Sequence, residues 1–402
     1  MYSDSKNSKE RSLMRSDISC DLMNILYYYW NENSKDDCVE SMERLGHKVR
    51  VWKKEFRNYS DDPEFEEALA KELASSSYDC IFSFDYFPLL SKVSQSAGIR
   101  YISWVYDCPH RTLESDTLGN SCNRVFVFDY ALAAIYQSQG FDTVDYMPLP
   151  VNVHRLKNLR AGKEYAHDIT FLGSLYNDEF NFYDQISYLP EYIKGYLDAI
   201  IRAQEMIYGM DLPSQLITPD IYAEIEKYVN ADLGKGFRNA KKSIFCDMLR
   251  KKVTVNERKN LLALLGEIFN VDLYSGSKPP QEINVRHLGT ADYYSEMPQI
   301  FASSKINLNI TLRSILTGIP LRVIDILGAG GFCLTNFQTE MAEYFENGKE
   351  LVWFESPDDM LDKCEYYLAH DDEREQIARN GQAAAEKLFS YDVLLPKVLG
   401  AK

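Results

Sequence analysis

The sequence predicts an α/β protein of two Rossmann-like halves, each a parallel sheet wound with helices, and three observations carry that prediction. From Met23 onward, apolar runs of strand length alternate with amphipathic stretches of helix length, the rhythm of βαβ units with right-handed crossovers. That rhythm breaks over residues 177–267, a mostly helical stretch too long for a single crossover, and then resumes. A chain of 402 residues also exceeds what one hydrophobic core usually serves, so two domains are expected.

In the first half, residues 22–150, MNILYYYW reads as a strand, Lys35 to Leu45 as an amphipathic helix and HKVRVW as the next strand. An acidic helix near Asp62 to Ser75 follows, then strand DCIFSF, helix Leu89 to Ser96, strands RYISWVYD and RVFVFD, and helix Tyr130 to Gln139. The second half, residues 151–390, opens at HDITFLGS, carries the helical insertion 177–267, resumes at NVDLYSGS and NVRHLG, and ends in helices from Pro357. Residues 1–21 read as a flexible tail; they lack the apolar core of about 7 residues that a signal peptide needs. Residues 391–402 are expected to return to the first half.

Composition excludes more than it identifies. A net charge of −16 argues against a nucleic-acid partner, which calls for a basic surface. There is no apolar run of about 18 residues, so no transmembrane segment is expected. Eight cysteines lie scattered without C-x-x-C pairs or zinc-ligand spacing, which points to reduced thiols and a cytoplasmic protein. Cys80 and Cys333 fall inside apolar strands and are expected in the core, and Cys108 is the one that suits a cleft. Twenty-eight tyrosines are many for this length; an aromatic face with a hydroxyl suits sugar stacking, although most must serve packing.

The richest stretch is Ile306 to Phe337, INLNITLRSILTGIPLRVIDILGAGGFCLTNF. Ile306, Leu308 and Ile310 alternate with Asn307, Asn309 and Thr311, a strand that delivers polar groups toward its carboxyl end, where open α/β sheets bind ligands. Pro320 suits the first turn of a helix whose apolar face is Val323, Ile324 and Leu327. Arg313 and Arg322 can neutralise a diphosphate, Asp325 can accept from ribose hydroxyls, and Gly330 and Gly331 allow close backbone approach. The plain alternative stays open: an exposed Arg and Asp one turn apart often form only a solvated ion pair, and Gly-Gly after a helix is often only its cap.

Taken with its continuation EYFENGKELVWFESPDDMLDKCEYYLAHDDEREQIARNGQ, the stretch from Ile306 to about Phe389 resembles the carboxyl-terminal, group 1 glycosyltransferase-like domain of CgeB-type, spore-maturation-like glycosyltransferases. SFDYFPLLSKVSQSAGIRYISWVYDCPH, with NRVFVFDYALAAIYQSQGF and YMPLPVN, resembles the acceptor-side domain that precedes it. The resemblance implies a GT-B fold, two Rossmann-like domains facing across a cleft. It also implies no cofactor and no divalent metal, with a nucleoside-diphosphate sugar, expected to be a UDP-sugar, as co-substrate. The acceptor would be a hydroxyl of a glycan, protein or surface polymer. No Asp-x-Asp occurs, so the carboxylate pair of metal-dependent relatives is missing. Related retaining enzymes carry two glutamates eight positions apart; here Asp325 takes the second position and Thr317 the first, which leaves the stereochemistry open.

Further donor contacts are expected from strand ends: Gly173 and Ser174 after DITFL, Ser277 and Lys278 after VDLY, and His287 near the base. Their plain readings are an ordinary turn and a strand cap. For catalysis, WVYDCPH offers Asp107 and His110 on a proline-constrained loop, where either can take a proton from an acceptor hydroxyl. Asp85, in SFDYFP, is the next candidate and would bind the acceptor, with Asn31 and Glu32 a weaker pair. A sugar-nucleotide epimerase and a non-catalytic nucleotide-sugar binding subunit are the competing functions. A dehydrogenase is excluded by the absence of G-x-G-x-x-G after any strand.

Overall fold

The computed structural model describes residues 21–156, 159, 164–177, 181–186, 188–230 and 233–400. Apart from Asp21, the amino-terminal tail lies outside the described residues. The chain forms two compact units. The first comprises the chain up to Arg155 together with Leu233–Asn239 and the segment from Lys387 onward; the second comprises the remainder.

The first unit is a six-stranded parallel sheet: β1 Asn24–Tyr28, β2 Lys48–Trp52, β3 Cys80–Phe84, β4 Arg100–Val105, β5 Asn123–Val127 and β6 Val144–Tyr146, in the order β2-β1-β3-β4-β5-β6. Its strands read as nearly continuous apolar runs because helices cover both faces. β3 is buried at every position. The crossover helices start where the chain supplies caps: Asp62 accepts from the Phe65 N–H at 3.1 Å and Asp129 from Leu132 at 3.1 Å, each satisfying a donor that the first helical turn cannot. The last helix, Tyr391–Gly400, is tied to this sheet's flank through Asp392, which bonds Arg44 and His154 at 2.7 Å each.

The second unit holds another six-stranded parallel sheet: β7 His167–Leu172, β8 Val271–Tyr274, β9 Arg286–Gly289, β10 Ser304–Asn309, β11 Cys333–Asn336 and β12 Val352–Phe354, in the order β12-β11-β10-β7-β8-β9. The winding direction reverses between β1 and β3 in the first sheet and between β7 and β10 in the second. Loops part at such reversals, so a crevice opens beyond the carboxyl ends of those strands.

The stretch read as a helical insertion contains Glu191–Glu205, Leu212–Leu216, Pro219–Ile225 and the 28-residue helix Lys241–Ile268. This last helix has two partners. Phe245, Cys246, Leu249 and Val253 pack with Ile193, Leu197, Ile200 and Ile201 of the insertion, whereas Leu261, Leu262 and Leu265 pack against the β7, β8 and β10 side chains. It is therefore both the last insertion helix and the crossover into β8. Residues 233–239, inside the same stretch, belong to the first unit. The seven described cysteines are free thiols; Cys80 and Cys333 are buried and Cys108 is partly exposed.

Pro320 stands one residue ahead of its helix, Leu321–Gly328, as the amino-terminal cap residue. Gly330, at φ +73°, closes the other end, with the Gly330 and Gly331 N–H groups returning to Leu327 and Ile326. Because the strands are parallel, the chain here has come back to the amino-terminal edge of the sheet, before β11. A Cβ added at Gly331 would stand 2.7 Å from Asn307 Nδ2 and 2.8 Å from the Phe301 carbonyl. The close approach at Gly331 is thus made to the protein's own Asn307 side chain and Phe301 carbonyl. Gly331→Ala should destabilise the fold by about 1–3 kcal/mol through overpacking, read as a lowered midpoint in thermal or urea unfolding.

Candidate functional site

In the second unit, polar side chains gather where the sheet's winding reverses. Arg258, on the helix Lys241–Ile268, is 7% exposed and donates to the carbonyls of Ser174, just past β7, and Ile310, just past β10, the latter at 2.6 and 3.2 Å. Its guanidinium stacks 5.0 Å from the Tyr176 ring centre and 5.4 Å from Phe171. Every one of these hydrogen bonds ends on a neutral carbonyl, and among the described residues Arg258 makes no ion pair. Burial pulls its pKa below the ordinary arginine value; Tyr176 and Glu257 oppose that pull and Arg322 adds to it.

Arg322 carries the second positive charge. It lies over the Phe301 ring at 5.5 Å, with Asp325 Oδ2 4.0 Å away, and burial lowers its pKa while Asp325, Tyr293 and Tyr176 oppose the shift. Two guanidinium groups that sense each other, one buried and one partly exposed, favour an anion beside them. Lys251 adds a third cation, 4.9 Å from the Tyr176 ring centre. Tyr176 itself is held at φ +53°, with its N–H bonded to Ser174 Oγ at 3.0 Å.

The residues expected at this donor site separate into groups. Gly173, Ser174, Ser277, Arg322 and Asp325 lie on loops or helix turns that follow strand carboxyl ends. A Cβ at Gly173 would stand 3.8 Å from Arg258 Nη1, and Ser174 Oγ is 3.5 Å from Ser277 Oγ. Asp325 is buried and accepts from the Tyr293 hydroxyl at 3.4 Å. Lys278 is exposed, and its carbonyl accepts from Asn177. His287 is exposed on the edge strand β9, with Nε2 2.8 Å from the Ser275 carbonyl, the geometry of a strand cap.

Arg313 and Asn309 are already engaged within the protein. The Arg313 guanidinium holds Glu257 through two 2.9 Å bonds, donates to the Ile207 carbonyl at 3.1 Å and stacks on Tyr208 at 4.2 Å. Asn309 is buried and donates to Thr311 and Thr335. Thr317, standing where a glutamate was looked for, donates to Glu340 at 2.7 Å. Arg258 was missed because the sequence shows it only as one charge in a helix rich in charges. Its sequence neighbours offer no cue, and its meaning comes from two carbonyls 84 and 52 positions away.

In the first unit, a cavity of about 820 Å³ lies beyond the carboxyl ends of β1, β3 and β4, lined among others by Trp30, Tyr59, Asp85, Phe87, Asp107 and His110. Trp30 is fixed by donating to the Phe84 carbonyl at 2.9 Å, and its ring stacks on Tyr106. Asp85 is 1% exposed and sits at φ +58°, a left-handed conformation that costs a non-glycine residue energy. Its Oδ1 accepts from the N–H groups of Tyr106 and Asp107 at 3.1 and 3.2 Å, while Oδ2 meets no hydrogen-bond donor among the described residues and the Asp85 and Asp107 carboxyl groups lie against each other. Burial pushes Asp85 up to about 7 against those two N–H bonds. Burial, then the charge of Asp85, pushes Asp107 up to about 6, and burial lowers His110.

His110 is mostly buried. Its Nε2 lies 2.6 Å from Thr112 Oγ1 and 3.1 Å from both the N–H and the carbonyl of Tyr86, and its Nδ1 is 3.8 Å from Asp85 Oδ1. Asp107 is exposed. Part of the cavity wall is the strap Leu233–Asn239. It bridges Ser115 at Phe237, receives the Asp116 N–H on Gly236 and pairs Arg238 with Glu114 at 2.8 Å.

Two parallel six-stranded sheets with flanking helices define the GT-B fold of glycosyltransferases. Residues 251–399 match a family model described as glycosyl transferase-like, so the chain carries a glycosyltransferase-like domain. Similar solved structures include sucrose-phosphate synthase from Thermosynechococcus elongatus, 10% identical over 93% of this chain and 97% of that one, with a TM-score of 0.54. A glycosyltransferase from Rickettsia africae is 11% identical over 94% and 97%, with a TM-score of 0.50. TarM is 11% identical over 87% of this chain and 59% of its own, also at 0.50. No curated protein sequence matches. At these identities the likeness establishes the fold. Among the described residues, no helix is long and apolar enough to cross a membrane.

The Arg313 and Glu257 side chains are 8% and 3% exposed. Arg313→Ala should therefore destabilise the protein by about 3–5 kcal/mol by stranding a buried carboxylate. The double variant Arg313→Met, Glu257→Gln should recover much of that loss in urea unfolding.

Proposed function

We propose that the protein is a glycosyltransferase of the CgeB-like type that moves a sugar from a nucleoside-diphosphate sugar to an acceptor hydroxyl. The observation that carries this reading is the placement of two guanidinium groups at the reversal point of the second sheet, the buried Arg258 and the partly exposed Arg322. Arg258 is held by carbonyls and keeps its positive charge uncancelled. A diphosphate supplies the missing negative charge, and the same arginines stabilise it as it departs, so the leaving group needs no metal ion. Ser174 and Ser277 offer hydroxyls to its oxygens, and Asp325, beside Tyr293, accepts from the ribose.

On the acceptor side, the cavity of the first unit presents Trp30 and Tyr59 to a sugar or another flat, partly apolar group. Asp107 takes the proton from the acceptor hydroxyl, whose oxygen bonds to the anomeric carbon as the bond from that carbon to the diphosphate breaks. His110 was the expected base. Its burial and its bonds to Tyr86 and Thr112 suit it to position Asp107, and the exposed carboxylate is the group an acceptor can reach. The acceptor is a hydroxyl of a glycan, protein or surface polymer, and UDP-sugars are the first donors to try.

A thermal-shift screen with UDP, GDP, CDP and dTDP and their sugars tests the donor site. A ligand at 100 times its Kd stabilises the fold by about 2.7 kcal/mol, a readily measured rise in Tm. Arg258→Gln and Arg322→Gln should each weaken binding at least ~10-fold, the loss of one charge-assisted contact; no shift with any nucleotide sinks the reading. Asp107→Asn should lower transfer by at least ~100-fold with nucleotide binding unchanged, the scale of general-base catalysis. Transfer that survives it undiminished removes Asp107 from the chemistry. Nucleotide binding with no turnover of any donor favours a binding subunit, and inversion of a sugar centre without transfer favours an epimerase.

A further inference from the structure

We propose that Asp85, Asp107 and His110 form a binding site for a divalent first-row cation, Mn²⁺ or Zn²⁺, at the carboxyl-end edge of the first sheet. One ligand atom from each of the three side chains can be chosen so that all lie within 4.8 Å of one another. Asp85 comes from the end of β3, and Asp107 and His110 from the loop after β4. Their closeness is fixed by the backbone: the Tyr106 and Asp107 N–H groups both bond Asp85 Oδ1, which docks one loop onto the other.

The unpartnered Asp85 Oδ2 is the observation that points to a ligand. A carboxylate oxygen in a residue 1% exposed, with no donor among the described residues, is a group that folding should have satisfied. Arg57, Arg111 and Lys235 line the same cavity but are exposed and leave it unpaired. A cation held with its neighbours answers the need directly.

The histidine is arranged in the same sense. Thr112 has one hydroxyl proton and two short contacts, to the Tyr86 carbonyl at 2.5 Å and to His110 Nε2 at 2.6 Å. The Tyr86 N–H also meets Nε2, at 3.1 Å, and the Tyr86 carbonyl lies 3.1 Å from it, so the protein engages this ring nitrogen whichever of the two carries the proton. Nδ1 is the ring nitrogen that faces Asp85, 3.8 Å from Oδ1, and it offers a lone pair to a cation in the tautomer that carries the proton on Nε2. A histidine that gives its other N–H to a relay ending on a backbone carbonyl has the support that metal-binding histidines commonly have. Two carboxylates and one imidazole suit Mn²⁺ or Zn²⁺ better than Mg²⁺ or Ca²⁺, which prefer oxygen alone.

Asp107 is exposed and the cavity adjoins it, so coordination positions remain for water or a hydroxyl. A bound cation lowers the pKa of such a hydroxyl. With one Asp107 oxygen on the cation, the other stays available to accept the proton. This site is separate from the arginines of the second unit, so nucleotide binding and metal binding can fail independently.

The test is titration of the full chain with Mn²⁺, followed by the electron paramagnetic resonance of the free ion, and calorimetry with Zn²⁺. One site per chain is expected, absent in Asp85→Asn. It should bind at least ~10-fold more weakly in Thr112→Val, which breaks only the relay behind the histidine. Circular dichroism checks that each variant folds; should Asp85→Asn fail, Asp107→Asn, at an exposed position, takes its place. No binding by the unaltered protein at millimolar Mn²⁺ overturns the proposal, the cluster then holding only a proton. Binding that persists unchanged in the aspartate variants also overturns it, placing the ion on the acidic surface.

Discussion

The second unit is organised around a buried cation that forms no ion pair among the described residues. Arg258 reaches from the middle of a 28-residue helix to carbonyls just beyond β7 and β10, the two strands at which the winding of the sheet reverses. Burying a guanidinium is costly, and carbonyl dipoles with two aromatic faces repay only part of the cost. The same helical turn does more. Thr254 accepts from the Arg313 N–H at 2.9 Å, Glu257 holds the Arg313 side chain, and Arg258 holds Ile310. One turn of helix thus clamps the loop after β10 and presents an uncancelled positive charge beside it.

This arrangement explains why the insertion and the sheet share a helix. Its first half is anchored by Phe245, Leu249 and Val253 among the insertion helices, and its second half by Leu261, Leu262 and Leu265 on the sheet. Rigidity imposed from both ends fixes the turn in between, where precision matters most for a charged site. The first unit solves the same problem at its own reversal point differently. There the strained residue is Asp85, held at positive φ by two N–H bonds, and the charge left unmatched is negative. Local choices that conflict with stability tend to mark function.

The alternation of strand and helix was legible because it depends on periodicity, which is local. The helix caps at Asp62 and Asp129 follow from the same local chemistry. The short strand β6, Val144–Tyr146, was not legible, since three residues carry too little pattern. The site was only half legible. Asp85, Asp107 and His110 could be picked out because polar residues leaving strand ends are exceptional in an apolar run. Arg313 looked like a phosphate ligand because its partner, Glu257, stands 56 positions away inside a helix full of charges. Gly330 and Gly331 looked like a ligand cradle, but in a parallel sheet each crossover helix returns the chain to the amino-terminal edge, away from the ligand end.

The strap Leu233–Asn239 shows what periodicity cannot reveal. Its sequence, LGKGFRN, has the composition of an ordinary loop, yet Gly236, at φ +83°, lies against Ser60 so closely that a Cβ would stand 2.9 Å from that side chain. The strap is pinned at both edges, by Phe237 on Ser115 and by Arg238, which pairs with Glu114 and stacks 4.2 Å over Phe141. Lys235 and Phe237 thereby become part of the cavity wall that also carries Asp85 and Asp107. A segment that in sequence lies within the helical stretch belongs to the first unit and completes a pocket there. The shape of that pocket is therefore set by inserted chain as well as by the loops of the first sheet, and change in the insertion can alter what the cavity admits without moving Asp85, Asp107 or His110.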